Sequence, residues 1–153
     1  MPKLLAFLPC EQAIISKDDE TVSLITVMQG LSLGVPDEVI GQNVLLPHRW
    51  SVFSYWLKEA GEDGVTFEQR LEYISPQNAA LLKQDSQFVI VKTTHSQVGR
   101  IGALPLLSAK PGQYVYSLRL SLRRVGEPDF KVVSEFPLSI TIEAASNGVV
   151  SQK

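Results

Sequence analysis

The chain contains a single cysteine, Cys10, in 153 residues. No internal disulfide is possible, and neither a CxxC pair nor a Cys/His zinc constellation can be assembled around it. That usage fits a reducing compartment, so the expected location is cytoplasmic. Charge of one sign is also lacking: 14 basic residues against 16 acidic ones leave a net charge of −2. No general basic field exists to attract DNA or RNA, which sets nucleic acid aside as a partner. Long apolar runs are missing too. Nothing approaches the ~20 residues of a membrane-spanning helix, and no membrane partner is expected. The opening MPKLLAFLPCEQ has the outline of a lipoprotein signal, with Lys3, the run Leu4 to Leu8 and then Cys10. That run is shorter than the about 7–15 residues of a signal core, and Pro9 stands where a small residue should precede the cysteine.

Nucleotide and hydrolase motifs are absent as well. There is no GxSxG elbow. The GRIG stretch, Gly99 to Gly102, lacks the third glycine and the βαβ setting of a dinucleotide site and the lysine of a P-loop. No cofactor is therefore expected.

What remains is ordinary for a folded protein. With 44% hydrophobic and 20% charged residues, a chain of this length supports one core. The stretch KPGQYVYSLRLSLRRVGE alternates without a slip. Tyr114, Tyr116, Leu118, Leu120 and Leu122 share one parity, and Val115, Ser117, Arg119, Ser121 and Arg123 the other. Period two is the pattern of a half-buried strand, here bracketed by Pro111-Gly112 and by the turn GEPD. In FKVVSEFPLSITIE, Phe136, Leu138, Ile140 and Ile142 form one face, and Pro137 argues for an edge position or a strand start. These two segments read as a hairpin bent at EFP.

Earlier segments behave alike. TVSLITVMQGLSL is β-branched and nearly continuous in apolar character, RWSVFSYWL is aromatic, and VTFEQRLEYI alternates Phe67, Gln69, Leu71 and Tyr73 against Glu68, Arg70 and Glu72. QFVIVK adds a short apolar run, and KLLAFLP with QAIIS predicts one or two strands at the start. EAGEDG and THSQVGRIG read as loops. SPQNAALLKQ and PDEVIGQ offer at most two short connector helices. About eight strands joined by short turns predict an all-β, single-domain antiparallel β-sandwich, immunoglobulin-like or a related Greek key, over residues 3–143. A loose polar tail is expected over 144–153.

PGQY at the head of a long strand resembles the tyrosine corner of immunoglobulin-like sandwiches. That resemblance implies that Tyr114 bonds back to the corner backbone and that Trp50 is the core tryptophan. The paired cysteines of antibody domains are absent. More of the chain is covered by LLAFLPCEQAIISKDDETVSLITVMQGLSL, RWSVFSYW, FEQRLEYISP and the closing Y-x-L-x-L-x-L-R…GE…FPLSI. Together these resemble a bacterial family of small proteins catalogued only as a domain of unknown function. The resemblance implies no activity and no catalytic residue.

A thiol nucleophile needs Cys10 beside a base, with His48 and His95 the histidines available. A buried thiol is the simpler reading. KDDE (Asp18, Asp19, Glu20), EAGED (Glu59, Glu62, Asp63) and GEPD (Glu127, Asp129) are acidic turns, but no spaced calcium loop occurs. Glu68 and Glu72, with Arg70 between them, read as a salt-bridged face and not as a glycosidase pair. Arg119, Arg123 and Arg124 make a small basic stripe on a solvated face. One segment breaks the pattern. In Arg49–Leu57, Trp50, Val52 and Trp56 lie on one parity and Phe53, Tyr55 and Leu57 on the other, so both faces are apolar. Cover from within the chain, a protein contact including self-association, and a stacked ligand such as a sugar all satisfy that pattern. The expectation is a non-enzymatic binding or structural module that uses Arg49, Trp50, Phe53, Tyr55, Trp56 and Leu57 to meet a protein partner or a second copy. The alternatives are a small enzyme with a loop-borne site using Cys10 or an acidic pair, and a carbohydrate- or calcium-binding accessory domain.

Overall fold

The computed structural model describes residues 1–16, 18 and 21–145. Among them run eleven strands: β1 (Lys3–Ile15), β2 (Val22–Val27), β3 (Gly30–Val35), β4 (Val44–Leu46), β5 (Trp50–Leu57), β6 (Thr66–Ile74), β7 (Ala80–Val89), β8 (Thr94–Ile101), β9 (Leu104–Leu106), β10 (Gly112–Arg124) and β11 (Lys131–Ala144). One 3-10 turn, Asp37–Val39, is the sole helical element among the described residues. The strands form a sheet ordered β2-β1-β5-β8, a second ordered β3-β11-β10-β6-β7, and a small β4-β9 ladder. The two large sheets enclose the core, so the fold is an all-β sandwich.

Burial follows the alternation that the sequence displays. Tyr116, Leu118, Leu120 and Leu122 of β10 and Leu138, Ile140 and Ile142 of β11 are all buried in one cluster, each aliphatic side chain contributing about 1.5–3 kcal/mol. Phe67, Gln69, Leu71 and Tyr73 point inward from β6. Arg70 faces out and grips Asp85 through two bonds at 2.9 and 3.0 Å. Glu68 likewise takes the Arg123 guanidinium at 2.6 Å. Both guanidiniums lie over the Phe130 ring, 4.0 and 4.2 Å from its centroid.

At the head of β10 the Tyr114 hydroxyl donates to the Lys110 carbonyl at 3.0 Å. Gly112 has φ 148°, a conformation that favours glycine, and a Cβ there would crowd the Tyr114 hydroxyl at 3.3 Å.

Several expectations are corrected. The pairing is not wholly antiparallel, because β3 runs parallel to β11 from Gly30↔Ser139 to Val35↔Ala144. TVSLITVMQGLSL is two strands in two sheets, with Met28 and Gln29 carrying the chain between them. The opening segments form one long strand, the lower of the one or two expected. SPQNAALLKQ gives no helix: Ala80 onward pairs with β6 as an edge strand. THSQVGRIG is not a loop but β8, paired along the whole of β5. Pro137 lies opposite Ser117, two residues before β3 takes up the other side of β11, so its missing N–H breaks no ladder there. The polar end expected from 144 lies, from 146 onward, outside the described residues. Ala144 closes β11, and the Ala145 N–H donates to Val35 O at 2.9 Å.

Candidate functional site

β5 is an interior strand, and this decides the fate of the aromatic segment. Trp50, Val52 and Trp56 point into the sandwich, where both indoles are fully buried. Trp50 donates from Nε1 to Ala103 O at 3.0 Å and meets Tyr73 edge-on at 6.1 Å. Trp56 stacks on Phe88 at 5.7 Å. Phe88 also stacks on the His95 ring at 4.8 Å. The contact surface expected across Arg49–Leu57 is therefore corrected: Trp50 and Trp56 fill the core, where they can meet neither a partner nor a sugar.

The second face of β5 is apolar too, and the chain covers it itself. Phe53 is buried although it stands outside the main core cluster, and it stacks on half-buried Tyr55 at 6.1 Å. β1 runs antiparallel to β5 from Lys3↔Leu57 to Cys10↔Ser51, then leaves it to pair with β2 from Cys10↔Val27 to Ile15↔Val22. Beyond that point the β1–β2 hairpin doubles back. Glu11 and Gln12 line one cleft with Arg49, Ser51 and Arg100, whereas Ile15, Ser16 and Val22 line another with Tyr55, Thr94 and His95. The hairpin thus lies over the outer face of β5 and β8 with a cleft on either side. Cys10 and Ala13 of β1 are themselves buried. Leu57 and Arg49 mark the two ends of β5, Leu57 half-buried and Arg49 exposed.

What the hairpin shows to solvent is aliphatic. Ile14, Ile25 and Val27 are 46%, 45% and 41% exposed. β2 is also an outer strand of its sheet, with one side unpaired among the described residues. Not one charged residue occurs from Thr21 to Val35, a span that holds both β2 and β3, each the strand at one end of its sheet. Natural edges are usually protected by charge, proline or cover. The opposite side is protected in that way. β7 and β8 carry Lys83, Asp85, His95 and Arg100, and their side chains bridge the gap, Gln97 Nε2 donating to Ser86 Oγ at 3.1 Å and Gln84 Nε2 to Arg100 O at 3.0 Å. Thr26 has φ 54°, a strained value for a β-branched residue, so β2 kinks just before it hands over to β3.

The chemistries sought elsewhere find other roles. Cys10 is 0% exposed, and burial raises its pKa, the reverse of an activated thiol. Among the described residues no hydrogen bond joins it to His48 or His95. His95 Nε2 lies 2.7 Å from Gln97 Oε1. In the Glu59–Asp63 turn, Glu62 is buried, accepts the Glu59 N–H at 2.8 Å and lies 3.0 Å from the amino group of Met1. Asp63 takes Lys58 at 2.6 Å. Asp19 and Glu20 of KDDE lie outside the described residues, and among the rest no cluster of acidic, histidine or cysteine side chains is arranged to hold a metal. Glu68 is committed to Arg123, so it forms no free acidic pair with Glu72. Arg119 of the basic stripe meets Glu135 at 2.7 Å.

No family model and no curated protein matches the chain. Among solved structures, the CooA pilin subunit from enterotoxigenic Escherichia coli aligns over 90% of this chain and 98% of its own, at 9% identity and a TM-score of 0.33. So loose an alignment transfers no strand role and no function. The cytoplasmic location expected from the lone cysteine is nonetheless corrected. A chain with one buried thiol forms no internal disulfide in any compartment, so Cys10 does not report where the protein resides.

Proposed function

We propose that the protein is a non-enzymatic contact module that self-associates through its β1–β2 hairpin, with β2 pairing antiparallel to β2 of a second copy across a two-fold axis. The observation that carries this reading is the unpaired, uncharged edge of β2 beside exposed Ile14, Ile25 and Val27. An open edge supplies a row of backbone donors and acceptors, and the aliphatics supply area to remove from water. A neutral edge meets its own copy without like charges, and a two-fold contact uses one patch twice. The aromatic segment contributes indirectly, because Phe53 and Tyr55 form the floor on which the hairpin rests.

Size-exclusion chromatography with light scattering tests this on the wild type and on Ile25→Lys, a substitution at an exposed site. The wild type should dimerise at or below roughly 100 μM, the midpoint for about −5.5 kcal/mol of association, and the variant should be monomeric. A wild type that stays monomeric at that concentration, or a variant that dimerises equally well, overturns the reading.

A further inference from the structure

The cleft between the hairpin and the start of β5 has a charge pattern unlike the rest of the surface. It measures about 600 Å³ and is lined by Glu11, Gln12, Arg49, Ser51 and Arg100 among others. Every other arginine in the chain faces a carboxylate. Arg70 holds Asp85 at 2.9 Å, Arg119 holds Glu135 at 2.7 Å, Arg123 holds Glu68 at 2.6 Å, and Arg124 lies 4.0 Å from Glu62. Arg49 and Arg100 have no ion pair among the described residues, and both line this one cleft. Each stands on a fixed point of the sheet. Ser51 of β5 pairs with Arg100 of β8, the Arg100 carbonyl accepts the Gln84 amide at 3.0 Å, and Arg49 precedes Trp50, whose indole is tied to Ala103.

We infer that this cleft binds a small molecule through an oxyanion, carboxylate or phosphate, held by Arg49 and Arg100. Two guanidiniums that line one cleft without a carboxylate partner leave their charge to be met by an anion, and their planar forks match the oxygens of either group. Gln12 and Ser51 also line the cleft and offer neutral donors. Glu11 shares the cleft and opposes the anion, which restricts the ligand to a compact charge placed toward the arginines. The volume falls in the range of small-molecule sites, about 300–1,000 Å³. The site is independent of the β2 edge and needs no second copy.

Isothermal titration of the full chain with citrate and, separately, with inorganic phosphate tests the inference at low salt. At least one should bind with a Kd below about 1 mM. Citrate alone points to a carboxylate ligand, phosphate alone to a phosphorylated one, and both to a site that reads charge more than shape. Arg100→Gln and Arg49→Gln should each weaken binding about tenfold or more, whereas Glu11→Gln should tighten it. All three sites are exposed, and unchanged melting temperatures would show the fold intact. Lack of binding by either probe below about 10 mM, or binding that ignores both arginine substitutions, overturns the inference. Loss of dimerisation in Ile25→Lys with anion binding retained would keep the two proposals separate.

Discussion

Across the interior of the sandwich, the Trp56 indole Nε1 on β5 donates to Gln69 Oε1 on β6 at 3.2 Å, a buried bond joining the two sheets. Ser54 completes the cluster, its hydroxyl donating to the same oxygen at 2.8 Å and lying 3.2 Å from the indole nitrogen. Polar groups so deep are tolerated only when paired. Gln69→Ala should cost about 3 kcal/mol, from a cavity, a Ser54 hydroxyl left without its acceptor and an indole left with Ser54 alone. Gln69→Leu should cost about half as much, because it keeps the volume and removes an Nε2 group that has no partner among the described residues. Urea unfolding midpoints of the two variants check the order.

The Arg70–Asp85 pair predicts an acid limb. The hydrogen bond from Arg70 outweighs partial burial and, with the guanidinium's charge, holds the Asp85 carboxyl below its ordinary value. A lowered folded pKa means that the stabilisation is complete above the unfolded carboxyl pKa of about 3.9 and is lost as pH falls through the folded one. Both side chains are partly exposed, so the amount is about 0.2–1 kcal/mol. Asp85→Asn should lower stability by that much near neutrality and by progressively less below about pH 4, as followed by urea titrations at stepped pH.

Cys10 should resist alkylation in the folded protein. Its thiol lies at the base of the hairpin, buried and with a raised pKa, so iodoacetamide at neutral pH should label it only when the hairpin opens or the chain unfolds. Labelling as fast as in urea would show that the hairpin does not cover β5.

Gly30 marks where β3 meets β11 most closely. A Cβ there would come within 2.9 Å of the Ser139 carbonyl oxygen, a backbone atom that cannot swing aside. Gly30→Ala should loosen the parallel pair and speed amide exchange at Leu31 to Val35, while exchange in β10 stays slow. Equal protection across β3 in variant and wild type would show that the strands part at no cost.

Tyr114→Phe removes the hydroxyl that closes the turn onto Lys110. A loss of about 1 kcal/mol is expected, the ordinary worth of one hydrogen bond. Thermal unfolding of the pair of proteins measures it.

The period-two segments were legible in the sequence because a strand with one wet face writes its burial into alternate residues. β10, β11 and β6 show this, down to the outward Glu68, Arg70 and Glu72. β7 was not legible: Ala79, Ala80, Leu81, Leu82, Lys83 and Gln84 favour a helix locally, and only pairing with β6 turns them into an edge strand. β8 is polar and carries Gly99, so nothing in Thr94–Ile101 announces that it will lie along β5. Sequence also showed that both faces of Arg49–Leu57 are apolar. It could not show that residues near Cys10 and Leu24 return to cover the second face, since that contact depends on where the chain folds back and not on any local pattern. Arg49 and Arg100 are far apart in sequence, and only the pairing of β5 with β8 brings both to the lining of one cleft.

The parallel partnership of β3 with β11 also orders events during synthesis. Gly30 to Val35 leaves the ribosome early, yet its hydrogen-bonding partners, Ser139 to Ala144, emerge only after nearly every other strand. Until then this uncharged ribbon has an open ladder on both sides, as does β2 on one, and both stay uncovered while the strands between β3 and β11 are made. A holdase waiting at the exit tunnel would find its clearest target there.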